Sequence, residues 1–284
     1  MNGNSWIDYE MSPDDYFSQH THCSNSMLSK LKRSPAHLKH SIEHPEPPTA
    51  AMITGSIIHT CILEPDVFEA TYVRGPEGDR RTKAVKQAYA ELEEEGYHRQ
   101  CILTPANYDQ CMSVRDAIYH HPIASQLLLP MHDVTTEASM FWEDSTSGVK
   151  CRGRIDALPS EDGQYSHVIA DLKTTTDASA TEFARSAYKW GYHRAASFYL
   201  QGFAAQNMGP PWTLERTEFV IVAIEKTDVN AISIFQFNDD AILQGAEELD
   251  TLLSIYRTCE QSGEWPSYPQ EIQELSLPGY AFTQ

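Results

Sequence analysis

The hydrophobic periodicity of this chain changes near residue 130, and that change constrains the fold more than any other feature. Before it, apolar residues recur at helical spacing. Met27, Leu28, Leu31 and Leu38 predict a helix over 26–40, capped by Ser24 or Asn25 and interrupted by Pro35. Pro45, Pro47 and Pro48 make a stiff connector, and Ile57, Ile58, Cys61 and Ile62 predict a buried helix over 54–63. A charged loop over 75–82 precedes helices at 83–95 and 106–120. Beyond residue 130 the pattern is that of strands. Segments 135–142 and 149–158 flank a turn at 145–148 and read as a hairpin. Segment 167–174 is a third strand, 218–225 a strongly apolar fourth and 232–237 a fifth. A long helix over 179–207, broken near Gly191, separates the third strand from the fourth, and Asp239 or Asp240 caps a closing helix that ends near Cys259. This order predicts an α/β protein of about five strands flanked by helices. Its parts are a polar, partly flexible segment (1–25), a helical section (26–130), the sheet-bearing core (131–265) and a tail (266–284).

The third strand carries the chemistry. Side chains alternate across a strand, so Asp171 and Lys173 share one face. On the preceding strand Asp156 shares a face with Arg154 and Arg152. If the two strands pair, two carboxylates converge beside an ammonium group. Such carboxylates repel one another unless a cation sits between them, and hard oxygen ligands suit Mg²⁺, with Mn²⁺ as a substitute. A metal so held polarises a phosphate, and a lysine beside it offsets phosphate charge and positions water. A bare Asp-x-Lys is common. Here Val168, Ile169, Ala170 and Leu172 bury the strand that bears it, and a charged pair on a buried strand wants a reason.

Composition narrows the class. The net charge is −19, which opposes a polyanionic substrate unless cations are segregated. Either the acids lie on outer faces while Lys and Arg line a groove, or the protein binds no nucleic acid. Lys30, Lys32, Arg33 and Lys39 fall together, as do Lys150, Arg152 and Arg154. Cys23, Cys61, Cys101, Cys111, Cys151 and Cys259 form no Cys-x-x-Cys pair, which fits reduced cytoplasmic thiols and no iron–sulfur cluster. There is no phosphate-binding Gly-rich loop for ATP, no secretory leader pattern and no apolar run of membrane-spanning length.

Four motifs occur in order: Gly-Ser-Ile-Ile-His at 55–59, Gly-Arg-Ile-Asp-Ala-Leu-Pro at 153–159, Ile-Ala-Asp-Leu-Lys-Thr-Thr at 169–175 and Gly-Tyr-His-Arg-x-Ala-x-Phe-Tyr-Leu at 191–200. Together they resemble the PD-(D/E)XK nuclease superfamily, and within it the RecE-type exonuclease domain, the C-terminal part of exodeoxyribonuclease VIII. The resemblance implies a restriction-endonuclease-like mixed sheet. It implies that Asp156 and Asp171 bind metal, that Lys173 is catalytic and that His59 is a further metal ligand. A lone histidine on an apolar helix is otherwise a satisfied core group. Glu137 matches an acid on the first strand of the sheet. Tyr199 matches the family's tyrosine, but Ala195 stands where the family usually has glutamine. Lys189, Tyr192, His193 and Arg194 remain as DNA contacts, with Arg152 and Arg154.

The implied activity is ATP-independent 5′→3′ exonucleolysis of double-stranded DNA from its ends, in the cytoplasm of a bacterial or phage-infected cell. The implied partners are a RecT-like single-strand annealing protein and further copies of the chain in a ring such as a tetramer. Two other readings stay open: an endonuclease or single-strand-specific nuclease of the same superfamily, and an inert acidic binding protein with a nuclease fold.

Overall fold

The protein's structure, a computed structural model, describes residues 5–160, 162–206 and 217–277. Its elements in chain order are β1 (Trp6–Asp8), α1 (Pro13–Ser18), α2 (Asn25–Leu31), α3 (Pro35–Glu43), α4 (Ala50–Leu63), α5 (Pro65–Thr71), β2 (Val73–Arg74), α6 (Lys83–Glu94), β3 (Ile102–Leu103), α7 (Pro105–His120), α8 (Ala124–Leu128), β4 (Thr135–Glu143), β5 (Lys150–Leu158), β6 (Val168–Thr175), α9 (Ala180–Trp190), α10 (Tyr192–Ala204), β7 (Glu218–Glu225), β8 (Ile232–Gln236) and α11 (Asp239–Ser262).

Six strands form the main sheet in the order β1-β4-β5-β6-β7-β8. All neighbours are antiparallel except β6 and β7, which pair in parallel from Val168 with Glu218 to Thr175 with Glu225. A parallel pair needs a crossover, and α9 with α10 supplies it. The central strands are buried on both faces, which is why they read as apolar runs rather than alternations. Phe219, Ile221 and Ala223 face a core shared with α2, α3, α9, α10 and α11, whereas Val220, Val222 and Ile224 face one shared with α4, α5, α7 and α8. Each fully buried aliphatic side chain contributes about 1.5–3 kcal/mol, so the helical section and the sheet stabilise one another.

The helix breaks arise where the sequence places them. Pro35 opens α3 after α2 has ended, with Ser34 Oγ accepting from His37 N. Gly191 takes a left-handed φ of 69° and separates α9 from α10. At Gly245 a Cβ would lie 2.4 Å from the His193 carbonyl oxygen, so α11 crosses α10 at backbone distance.

Other expectations need correction. The segment 1–25 contains a strand that was not expected: Trp6–Asp8 pairs with Phe141–Ser139, and Trp6 stacks on Phe141 at 4.7 Å. With it the sheet has six strands, the expected five and this one at the edge. The helical section contains a small parallel pair, β2 with β3. Asn238, not Asp239 or Asp240, caps α11, its Oδ1 accepting from Ala241 N at 3.0 Å, and the helix runs past Cys259 to Ser262. Position 207, the predicted end of the long helix, lies outside the described residues, as do tail positions 278–284. Among the described residues no helix is long and apolar enough to cross a membrane.

Candidate active site

The site lies where β5 and β6 stop pairing by backbone alone. Their recorded backbone pair is Ala157 with Ala170. Next to it, the Leu172 amide donates to the Asp156 side chain, Oδ2, at 2.8 Å. A carboxylate thus replaces a carbonyl as acceptor, and both strands turn polar side chains towards the gap. On the far side of β5, Glu137 has φ 57°, a left-handed conformation in the middle of β4. For a side-chain-bearing residue this costs about 1–3 kcal/mol and persists only where the surroundings enforce it. Here Arg154 does so: its Nε donates to Glu137 Oε2 at 2.5 Å, and its Nη1 donates to the Met11 carbonyl at 3.1 Å and to Ser139 Oγ at 3.2 Å.

From the opposite face, α4 brings His59 to the same place, with Nδ1 3.7 Å from Asp156 Oδ2. His59, Glu137 and Asp156 each offer one donor atom, all within 4.8 Å of one another. Asp171 stands on the neighbouring strand and holds the Lys173 ammonium through Oδ2. That ammonium also lies 5.5 Å from the centre of the Tyr192 ring. Tyr199 packs beneath, stacked on Phe219, and its ring fills the space where a Cβ on Gly153 would stand.

Burial and mutual repulsion set the charges. Burial, then the charge of Asp156, pushes Glu137 up to about 7, against the pull of Arg154. Burial likewise raises Asp171 to about 6, against the pull of Lys173, and raises Asp156. Burial, then the Lys173 charge, lowers His59 to about 4, so its imidazole is neutral at pH 7 and keeps a lone pair free. Burial works against the Lys173 ammonium, but Asp171 and Asp156 more than compensate and hold it charged. A neutral imidazole and two carboxylates, crowded together and reluctant to ionise, fit a divalent cation as the missing counter-charge. The donor types admit Mg²⁺ and, with nitrogen in the set, Mn²⁺ more readily.

The structure thus brings together His59, Glu137, Asp156, Asp171, Lys173 and Tyr192, with Arg154 behind Glu137 and Tyr199 below. It does not bring the other expected DNA contacts to the surface. Arg152 is 7% exposed, donates to the Tyr16 carbonyl and lies over the Tyr16 ring. Arg194 is 2% exposed and donates to Asn25 Oδ1, Ser29 Oγ and Glu248. His193 is buried against the same Glu248. These three are interior groups, because each has a fixed partner far away in sequence. Arg154 is likewise committed, to Glu137 and Met11. Lys189 alone of the expected cations is exposed, over the Trp190 ring. Sequence reasoning missed two features: the hold of Arg154 on Glu137, and the N-terminal wall of Met11 and Tyr16. Neither a left-handed residue inside a strand nor a partner more than a hundred residues away leaves a local signal.

Because Arg154 fixes Glu137, Arg154→Gln is expected to weaken Mn²⁺ binding about 10–100-fold, the usual loss when a group supporting a ligand is removed. Titration calorimetry measures it, and an affinity equal to wild type would confine Arg154 to anchoring the N-terminal segment.

Comparison with known proteins agrees with the geometry. No functionally curated protein matches the chain in sequence. In three dimensions it resembles the crystal structure of a proposed exonuclease from Eubacterium rectale, with a TM-score of 0.60 over 96% of this chain and 98% of that one. At 15% identity that likeness speaks for the fold. Residues 24–278 match the family described as PDDEXK-like domain of unknown function, DUF3799. The chain belongs to this PDDEXK-like family, and its sheet and helices are those of the PD-(D/E)XK nuclease fold.

Proposed function

We propose that the protein is a metal-dependent nuclease that degrades linear double-stranded DNA from its ends, 5′→3′ and without ATP, leaving 3′ single-stranded overhangs. The observation that carries the nuclease reading is the meeting of His59, Glu137 and Asp156 with the Asp171–Lys173 pair at one gap in the sheet. The direction and substrate rest on the resemblance to RecE-type exonucleases. That resemblance further supports a role beside a single-strand annealing protein in phage or prophage recombination, and assembly into a homo-oligomeric ring.

His59, Glu137 and Asp156 would hold Mg²⁺ or Mn²⁺, with Asp171 as the further carboxylate beside them. When bound, the cation acidifies a water and neutralises phosphate charge. The chain's own residues do the rest. Lys173, kept charged by Asp171, meets the scissile phosphate oxygens and orients the attacking water in line with the bond to be broken. Neutral His59 contributes a donor without adding positive charge. Tyr192 walls one side of the ammonium and limits its access to water.

The test is Mg²⁺-dependent digestion of linear duplex DNA labelled at the 5′ or the 3′ end, beside closed circular DNA. Early release of the 5′ label, late release of the 3′ label and intact circles are expected. Cleaved circles would make the protein an endonuclease, and no cleavage of any DNA would end the nuclease reading.

A further inference from the structure

The chain carries 40 acidic residues among 284, yet none falls between Phe183 and Leu214. This acid-free stretch contains most of α9, all of α10 and the bend at Gly191 between them. At that bend three aromatic residues alternate along the chain. Tyr188 is 72% exposed and Trp190 is 59% exposed, although both are large enough to be worth burying. Tyr192, the third, has its ring over the Lys173 ammonium. Tyr192 joins this bend to the site, and the other two rings flank it in sequence: Tyr188 stacks on His193 at 5.9 Å, and Lys189 covers the Trp190 ring at 4.9 Å. Three acids on α9, α11 and β6 are engaged. Glu182 pairs with Arg185, Glu248 is held by Lys32, His193 and Arg194, and Asp171 holds Lys173.

We infer that Tyr188 and Trp190 form a stacking platform for unpaired nucleotides of the strand whose phosphate reaches Lys173. Aromatic rings take any base, because every base has a π-face, and a neighbouring cation holds the backbone. An acid-free segment of a chain of net charge −19 is a part of it that repels a polyanion least. The platform rests on the nuclease reading and adds to it. The site would receive a strand already separated from its complement at the duplex end, with Lys189 on the backbone and the two rings against the bases.

The experiment is fluorescence anisotropy of labelled DNA with the full-length protein in EDTA, where nothing is cut. The probes are an oligo-dT, a duplex with a single-stranded overhang and a blunt duplex. The double variant Tyr188→Ala/Trp190→Ala is expected to bind the oligo-dT and the overhang about 10–100-fold more weakly, and the blunt duplex within about twofold of wild type. Tyr188→Phe/Trp190→Phe, which keeps both rings, is expected to retain most of the wild-type affinity. Both rings are exposed, so the thermal midpoint should hold and serves as the folding control. Equal affinity of wild type and double variant for oligo-dT would overturn the platform. So would an unchanged affinity accompanied by altered sedimentation, which would make this face a contact between copies. If the wild type digests labelled duplex but the variant binds as well as it does, the platform alone falls. If the wild type neither binds nor cuts DNA, both readings fall together.

Discussion

Lys173→Ala is expected to lower Mg²⁺-dependent cleavage of linear duplex DNA by about 10²–10⁴-fold, the range for losing a positioned proton-transfer or charge-stabilising group. The size follows from where the ammonium sits. It is held by Asp171 and lies against Tyr192, so few waters compete with a phosphate for it. In such surroundings a charge acts at far lower effective dielectric than on a surface. The substitution removes no member of the His59–Glu137–Asp156 cluster, so Mn²⁺ affinity measured by calorimetry should change much less than cleavage. That separation identifies the lysine as acting on the reaction rather than on metal loading. The variant should still fold, because Asp171 can take up a proton once its partner is gone. Cleavage within tenfold of wild type would place the reacting centre elsewhere in the molecule.

Much of this was legible because the sheet is buried on both faces. Phe219 to Ile224 and Val168 to Ala170 can be nothing but interior strand, and once they are placed, alternation puts Asp171 and Lys173 on one face. Pro35 and Gly191 mark breaks for steric reasons that hold in any context. What stayed hidden depends on partners distant in sequence. Trp6–Asp8 is too short for a pattern and is a strand only because Phe141 is there to pair with. Arg194 looks like a surface cation on an amphipathic helix, but Asn25, Ser29 and Glu248 enclose it. Glu137 reads as an ordinary strand residue, and its left-handed backbone is set by Arg154 and the pairing around it. The N-terminal wall of the site, Met11 and Tyr16, lies ahead of residue 24, where the family match begins. That wall belongs to the part of the chain the shared motifs do not describe.

The same crowding of acids makes the stability of the metal-free protein depend on pH in an unusual direction. Most proteins gain stability as carboxylates ionise, because folding lowers their pKa values. Here folding raises three of them, Glu137, Asp156 and Asp171. Glu137 moves from an ordinary 4.5 to about 7, and Asp171 from 3.8 to about 6. A raised carboxyl stabilises the fold fully below its unfolded value, and that contribution is lost as pH rises through its folded value. For Glu137 and Asp171 each loss is on the order of 3 kcal/mol. His59 opposes part of it: its pKa falls from 6.5 to about 4, so its contribution returns as pH rises across that interval. His59 cancels about one carboxyl's share, Asp156 adds a loss of the same sign, and the sum is a net loss of at least one carboxyl's share between about pH 4 and pH 7. In EDTA the thermal midpoint should therefore drop by roughly 5–10 °C between pH 5 and pH 7.5. Millimolar Mg²⁺ or Mn²⁺ should reverse the drop, and more strongly at pH 7.5 than at pH 5, because a cation binds only carboxylates that have released their protons. Asp156→Asn isolates the charge, since asparagine can still accept from the Leu172 amide as Asp156 does. It should raise the metal-free midpoint at pH 7.5 and abolish most of the response to metal. Scanning fluorimetry across pH with EDTA or metal reads all of this. A metal-free midpoint that climbs with pH, or a metal shift equal at both pH values, would mean that these acids are not held together as a site waiting for a cation.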